Sequence, residues 1–296
     1  MKTEKNIFIA FILNLAFSLF ELVGGLLTNS VAIASDALHD FGDAVSIGIS
    51  WLLEKKSKKQ PDESHTYGYM RYSVLGSVVT TLILAVGSLL VIIHAIRRLV
   101  YPVPIHYDGM ILFAVVGVAV NFAAAWFTRE PDSLNQRAVN LHMLEDVLGW
   151  AVVLIGAVIM RFVDLPILDP LLSVGVAVYI LLHATDHLRQ SLELFLEKTP
   201  EGLAVEQIRE HLCQITGVLD VHHIHLWSMD GVQNYATMHI VTQENGHNIK
   251  DSIRQKLKEH GIVHVTLELE LPGEDCHEKY CHIQTMHLHT HHHHHH

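Results

Sequence analysis

The chain has 296 residues, of which 50% are hydrophobic and only 17% are charged, and its mean hydropathy is +0.28. Soluble domains carry about 25% charged residues, so this composition indicates a membrane protein, and we expect no nucleic-acid partner. The formal net charge of -11 excludes little, because the 25 histidines change it under mild acidification.

Six apolar segments are close to the roughly 20 residues that a membrane-spanning helix needs. They lie at about 7–27, 30–53, 73–93, 109–127, 138–160 and 170–188. We interpret the first as a membrane helix rather than a cleavable signal peptide, because it is too long and further spans follow it. The second and fifth contain charged residues, which we expect to face the interior of the helix bundle.

Lysine and arginine residues near the spans predict the orientation of the chain. An inside amino terminus places most of them on the cytoplasmic side, namely Lys2, Lys5, Lys55, Lys56, Lys58, Lys59, Arg71, Arg129 and Arg137, against Arg97, Arg98 and Arg161 outside. We therefore expect a multi-pass integral membrane protein with both termini in the cytoplasm. The short connection between spans four and five lacks a histidine-rich insert, which favours a bacterial inner membrane.

The second span carries ionisable residues at membrane depth, where such groups are costly unless they serve a site. His39 and Asp43 are four residues apart, so a helix places both on one face. Asp40 projects roughly 100° away from His39 around the helix. Asp36 lies one turn toward the outer end, where it is a candidate for a supporting or proton-path group.

The same spacing recurs in the fifth span, at His142 and Asp146. Two such pairs on neighbouring helices supply two imidazoles and two carboxylates, a ligand set that suits tetrahedral zinc. The alternative is that each pair only forms hydrogen bonds between helices, but the repeated spacing favours a metal site. The predicted ligands are His39, Asp43, His142 and Asp146.

The composition changes near residue 199, after which helical and strand patterns alternate. Helices are predicted at 202–215 and 249–260, and strands at 218–229, 235–243 and 263–271. This αββαβ order predicts a small two-layer α+β domain. Cys213 is predicted to be buried, and the last strand to be half-buried through Val263, Val265, Leu267, Leu269 and Leu271. The resulting domains are a six-helix transmembrane domain at 1–199, a cytoplasmic domain at 200–272 and a flexible Cys- and His-rich tail at 273–296.

The sequence Asn-Ser-Val-Ala-Ile-Ala-Ser-Asp-Ala-Leu-His-Asp-Phe-Gly-Asp at 29–43 resembles the second-helix signature of the cation diffusion facilitator family. His142 and Asp146 match its fifth-helix signature, and six spans followed by a ferredoxin-like cytoplasmic domain also fit. The resemblance implies a homodimer that exports cytoplasmic divalent metal in exchange for protons, with no organic cofactor. Two His–Asp pairs resemble the zinc-preferring branch, with His39, Asp43, His142 and Asp146 as the transport site.

The exchange has a physical basis. Metal binding requires neutral imidazoles and ionised carboxylates, so such a site loses protons when it binds metal. Alternating access converts this competition into antiport of zinc against protons.

The resemblance extends to the loop between helices two and three, where some members hold zinc through Asp-x-x-His-x-x-x-His. Asp62 and His65 match, but Tyr69 stands at the last position, so a structured loop is the favoured interpretation. Arg71 and Glu197 match a basic and an acidic residue that pair in relatives, which suggests a charge contact that holds the helices of the dimer. Two solvated charges of little energetic value are the alternative.

In the cytoplasmic domain, His222 and His239 match positions that bind zinc at the dimer interface of relatives. Glu268 and Glu270 fall near two further ligand positions, where His and Asp are usual, and they share one strand face. Exposed side chains on a solvated sheet face are the alternative. The domain would sense cytoplasmic zinc and tighten the dimer.

The tail offers Cys276 and Cys281, together with two histidines, as soft ligands that suit zinc. A cytoplasmic location argues against a disulfide. The Cys-x4-Cys spacing is looser than is usual for zinc, so zinc binding and a tail without metal both stay open. We interpret the terminal run His291 to His296 as a purification tag, with a native histidine-rich tail as the alternative.

The preferred function is therefore a zinc/proton antiporter rather than an enzyme, embedded in lipid. An intramembrane zinc-dependent hydrolase is disfavoured, because catalytic zinc keeps an open position and the chain has no His-Glu-x-x-His sequence. A membrane-tethered zinc sensor without transport would not need ligands at mid-bilayer depth. Zinc, cadmium and cobalt are not distinguished by these ligands.

Overall fold

The apolar segments form six long helices in the computed structural model, which describes residues 2–28, 31–101, 107–130, 133–162, 168–243 and 247–274. In chain order they are α1 (Lys2–Thr28), α2 (Val31–Ser57), α3 (Arg71–Val100), α4 (Tyr107–Thr128), α5 (Leu134–Phe162) and α6 (Leu168–Phe195). Each helix is longer than its apolar segment because it continues into polar residues at its ends. With the turn Met229–Val232, residues 1–198 form one compact unit, the helical unit, and the remaining residues form a second, the C-terminal unit.

Four stretches of the described helices are long and apolar enough to cross a membrane. They are Thr3–Val23, Arg71–Arg97, Ile111–Thr128 and Leu134–Gly156. Helices α2 and α6 do not meet this criterion in their described parts. The charged residues of α2 lower its mean hydropathy below that of its neighbours.

Helix α2 nevertheless presents an apolar face outward and a polar face inward. The exposed face carries Phe41, Val45, Ile49 and Leu52. The buried face carries Asp43, Ser46, Ser50 and Glu54. This arrangement is the reverse of a helix on a water-soluble protein, and it is expected of a helix surrounded by lipid, whose polar groups must find partners inside the bundle.

Within the helical unit α1 packs against α2, α3 against α6 and α4 against α5. Small residues allow α4 and α5 to approach each other closely. A Cβ atom at Gly117 would lie 2.6 Å from the Trp150 ring, so only glycine lets this indole cross α4 so closely.

A buried carboxylate joins three helices at the end of the bundle that carries the α2–α3 loop. Glu54 of α2 has no exposed surface and accepts hydrogen bonds from Ser73 Oγ at 2.7 Å, Ser133 Oγ at 3.2 Å and Asn135 Nδ2 at 3.3 Å. Lys58 Nζ lies 2.9 Å from its other oxygen. We call these five residues the Glu54 hub. It ties α2 to α3 and to the beginning of α5.

The C-terminal unit has the predicted αββαβ order. Its elements are α7 (Val205–Cys213), β1 (Val218–Ser228), β2 (Asn234–Thr242), α8 (His247–Glu259) and β3 (Ile262–Glu270). The sheet order is β1-β2-β3, with β1 and β2 antiparallel and β2 and β3 parallel. The parallel pair requires a crossover connection, which α8 provides. Ile208 and Leu212 of α7 and Ile253 and Leu257 of α8 pack on one sheet face to form the core.

One prediction of burial is wrong and a second holds for three of its five residues. Cys213 is exposed, because the buried positions of α7 are Ile208 and Leu212 and the next residue projects about 100° away from that face. In β3, Val265, Leu267 and Leu269 are half-buried against the core, as predicted. Val263 and Leu271 are instead 54% and 53% exposed. Their alternation with the buried residues fails because the register shifts at the start of the strand and because β3 ends at residue 270.

Candidate metal centre

Three of the four predicted membrane ligands converge between α2 and α5. One possible ligand atom from each of Asp43, His142 and Asp146 lies within 4.8 Å of the others. His142 Nε2 is 3.8 Å from Asp43 Oδ1 and 4.0 Å from Asp146 Oδ2. Tetrahedral zinc with bonds of about 2 Å holds its ligands about 3.3 Å apart, so each aspartate oxygen would have to move about 0.5 to 0.7 Å closer to His142 Nε2 to bind the same ion.

His39 lies four residues before Asp43 in the same continuous helix. Its side chain, like that of Asp36, lies outside the described part of the structure. Asp40 is half-buried. The described part of the centre therefore consists of Asp43, His142 and Asp146.

The burial of His142 is the clearest sign of a ligand. Its exposed fraction is 3%, and neither ring nitrogen has a hydrogen-bond partner among the described residues. A buried polar group without a partner costs about 1–3 kcal/mol. A cation bound between His142 and the two aspartates would remove this cost at one nitrogen.

Three residues that the sequence analysis did not select also reach the centre. Asn14 Nδ2 of α1 donates to Asp146 Oδ2 at 3.4 Å. Glu145 Oε2 is 3.9 Å from His142 Nδ1, and Ser88 Oγ of α3 donates to Glu145 Oε1 at 3.1 Å. Glu145 could have been found from the sequence, because it is an acidic residue inside an apolar span. Asn14 and Ser88 carry no such signal.

In the C-terminal unit the sheet register brings the predicted ligands together. His222 pairs with His239 across β1 and β2, and His239 pairs with Glu268 across β2 and β3. His222 Nε2 is 3.2 Å from Glu270 Oε2, and His239 Nδ1 is 2.5 Å from Glu270 Oε1. Glu268 lies 3.3 Å from the other nitrogen of His239 and its side chain is 68% exposed. A single ion would thus use His222, His239 and Glu270, after displacing the bond between the last two.

His223 joins this cluster through an irregularity of β1. The register shifts between His222 and His225, and His223 has a φ of 50°. Its ring lies 4.8 Å from that of His239, although consecutive residues of a regular strand face opposite sides. Nothing in the sequence indicated this bulge.

The loop between α2 and α3 is organised around Asp62. Asp62 Oδ2 accepts hydrogen bonds from Lys59 Nζ at 2.7 Å and Tyr69 Oη at 2.8 Å, while Oδ1 accepts from Ser64 Oγ at 2.7 Å and His65 N at 3.0 Å. The hydrogen bond from Lys59, followed by those from Ser64 and Tyr69, holds the pKa of the Asp62 carboxyl well below its usual range. An ammonium group already neutralises this carboxylate, which favours the structured loop over a metal site.

Arg71 Nη2 lies 2.6 Å from Glu197 Oε1 of the same chain. Glu197 follows the end of α6 with a φ of 61°, so the chain turns sharply where the pair forms. Both side chains are partly exposed, so the pair contributes about 0–1 kcal/mol to stability. The remaining predicted ligands, Cys276 and Cys281, lie outside the described residues.

Two family models match almost the whole chain. Residues 7–196 match a family model described as the cation efflux transmembrane domain, and residues 200–272 match one described as the cytoplasmic domain of cation efflux proteins. The chain is 32% identical to the zinc transporter ZitB of Escherichia coli (strain K12) over 286 residues, which cover 94% of this chain and 90% of that protein.

Two further relatives are similar over almost the same length. The cadmium, cobalt and zinc/H(+)-K(+) antiporter of Bacillus subtilis (strain 168) is 30% identical over 276 residues, with 90% of this chain and 89% of the relative covered. The metal cation efflux system protein CzcD of Cupriavidus metallidurans is 28% identical over 275 residues, with 90% and 87% covered.

Proposed function

Because the chain belongs to the cation efflux family, the cation diffusion facilitators, we propose that it exports zinc from the cytoplasm in exchange for protons. Two family models together span residues 7–196 and 200–272, and the resemblance found in the sequence is confirmed. The chain combines a transmembrane helical domain with a cytoplasmic C-terminal domain that contains a three-stranded sheet. Relatives named as zinc transporters and as a zinc/H(+)-K(+) antiporter support divalent cation efflux by antiport.

The observation that carries this proposal is the buried imidazole of His142 between two carboxylates of different helices. Its two nitrogens lack hydrogen-bond partners among the described residues, while Asp43 Oδ1 and Asp146 Oδ2 face Nε2. We propose that His39 completes a four-ligand shell for zinc. Such a closed shell supports transport over hydrolysis, because catalytic zinc keeps a position for water.

Proton coupling follows from the ligand chemistry. Zinc binds the deprotonated forms of imidazole and carboxylate, so protons and metal compete for the same atoms. When zinc leaves, the site loses two positive charges among buried carboxylates, and protons are the cations that restore neutrality. A site that faces the two sides of the membrane in turn would then move zinc outward and protons inward.

The finer architecture is part of the proposal. The outward apolar face of α2 supports six spans, although the described parts of only four helices meet the criterion for a span. Six spans with a cytoplasmic C-terminal domain place both termini inside, and the domain boundaries fall at 199 and 272. We propose a ferredoxin-like C-terminal domain, a homodimer and a bacterial inner membrane, with lipid around the outward apolar faces.

Reconstitution into proteoliposomes tests the function. With an acidic lumen, external zinc is expected to enter vesicles while protons leave, as reported by zinc-sensitive and pH-sensitive dyes. Collapsing the pH difference with an ionophore should slow the uptake, and a potassium gradient in a parallel sample separates the two counter-ions. Zinc uptake that ignores the pH difference would contradict proton antiport, and zinc binding without uptake would favour the membrane-tethered sensor.

The C-terminal cluster gives a separate prediction. Replacing His239 with alanine is expected to remove about one bound zinc per chain, because this imidazole lies between Glu268 and Glu270. Zinc content of the full-length protein by elemental analysis is the measurement. His260, which bonds His211 in the same unit, provides the matched control His260→Ala, whose zinc content should be unchanged. Equal zinc content in wild type and His239→Ala would show that the cluster holds no metal.

A further inference from the structure

Glu145 is a carboxylate of α5 that faces the side of His142 away from Asp43 and Asp146. Its Oε2 lies 3.9 Å from His142 Nδ1, whereas Nε2 of the same ring faces Asp43 at 3.8 Å and Asp146 at 4.0 Å. Positions 142 and 145 are three residues apart, a spacing that brings side chains together on a helix. The imidazole is thus flanked by carboxylates at both nitrogens.

The two facing atoms, His142 Nδ1 and Glu145 Oε2, are both buried and both lack a hydrogen-bond partner among the described residues. One donates when the ring carries its proton there, and the other accepts. At 3.9 Å they are too far apart for a hydrogen bond, but a shift of about 1 Å would join them. His142 Nδ1 can therefore be the donor that Glu145 Oε2 lacks, and Glu145 Oε2 the acceptor that His142 Nδ1 lacks.

The opposite oxygen of Glu145 is held from another helix. Ser88 of α3 is fully buried, and its hydroxyl lies 3.1 Å from Glu145 Oε1 and 3.0 Å from the carbonyl oxygen of Leu84. This contact restrains the carboxylate on the side remote from His142. Only Oε2 is left to face the imidazole.

We propose that Glu145 is a positioning residue whose carboxylate accepts the Nδ1 hydrogen of His142 and so leaves Nε2 free to bind the transported cation. This inference rests on the proposed function, because it concerns the same site. Histidines that bind metal commonly donate their second N–H to a carboxylate, which fixes the tautomer and the ring orientation, and losing that partner costs about 10–100-fold in metal affinity. Glu145 therefore acts through His142 rather than as a ligand.

The test compares three variants of the full-length protein in proteoliposomes. Glu145→Leu is expected to raise the KM for zinc about 10–100-fold while the maximal rate changes little. Glu145→Gln keeps a carbonyl oxygen that accepts the Nδ1 hydrogen, so it should recover most of the lost affinity. Ser88→Ala should raise KM in the same direction by a smaller factor. Asp186→Leu, which removes an exposed carboxylate from α6, is the matched control and should leave KM unchanged.

An unchanged KM in Glu145→Leu, or a Gln variant as weak as the Leu variant, overturns the inference. Binding is followed in parallel through the visible absorption of Co²⁺ added to the His239→Ala protein, in which the C-terminal cluster is disabled. The tetrahedral band is expected to persist, and adding Glu145→Leu should weaken Co²⁺ affinity. If the wild-type protein moves no zinc but Glu145→Leu still weakens Co²⁺ affinity, the proposed function fails and the role of Glu145 stands.

Discussion

Alanine at Asp43 or Asp146 is expected to reduce zinc transport at least about 100-fold, because each substitution removes one oxygen ligand from a closed shell. The two carboxylates face the same nitrogen of His142 from different helices, so neither replaces the other. Initial rates of zinc uptake in proteoliposomes measure the effect. Elemental analysis should show one zinc fewer per chain than in wild type.

The chain offers a matched control for this prediction. Asp186 is an exposed aspartate of α6, so Asp186→Ala makes the same chemical change in a helix of the same unit. It should transport zinc at the wild-type rate. Normal transport by Asp43→Ala or Asp146→Ala, at equal protein content, would remove these residues from the transport site.

Leucine in place of Glu54 is expected to lower the melting temperature of the detergent-solubilised protein by about 10 °C. Leaving buried polar groups without their acceptor costs about 1–3 kcal/mol each, or about 3–5 kcal/mol here in total. In a domain of this size each kcal/mol lowers the melting temperature by about 2–4 °C. The cost is large because Ser73, Ser133 and Asn135 would lose their common acceptor, and Lys58 its partner. Unfolding followed by a thiol-reactive or tryptophan fluorescence assay is the measurement.

Glu63 supplies the control for the Glu54 hub. It lies exposed in the nearby loop, so Glu63→Leu makes the same substitution outside the bundle and should shift the melting temperature by about 1 °C or less. Glu54→Gln keeps an acceptor oxygen but loses the charge, so its melting temperature should lie between those of Glu54→Leu and Glu63→Leu. A melting temperature of Glu54→Leu equal to that of wild type would show that the Glu54 hub adds nothing to stability.

The helices and strands could be predicted because their signals are local. Long apolar runs indicate membrane helices at any position, and the alternation of Val265, Leu267 and Leu269 in β3 indicates a half-buried strand. The spacing of His142 and Asp146 is likewise local, since residues four apart share a helix face. Such patterns identify a candidate site without knowledge of the packing.

The remaining features depend on which helices meet, and a single sequence does not encode this visibly. Asn14 reaches Asp146 across 132 residues, and Ser88 reaches Glu145 across 57. No spacing rule connects such pairs. The exposure of Cys213 shows the limit even within one helix, because a shift of one residue from the buried stripe reverses the expected environment.

In the α2–α3 loop, the cation that neutralises the Asp62 carboxylate is a side chain of the loop itself. Lys59 and Asp62 are three residues apart in the same chain. The ammonium group therefore stays close to the carboxylate whatever the composition of the cytoplasm. A chelator that strips metal from the rest of the molecule should therefore leave this connection folded. In a cell starved of zinc, the loop would keep its structure without sequestering any of the scarce metal.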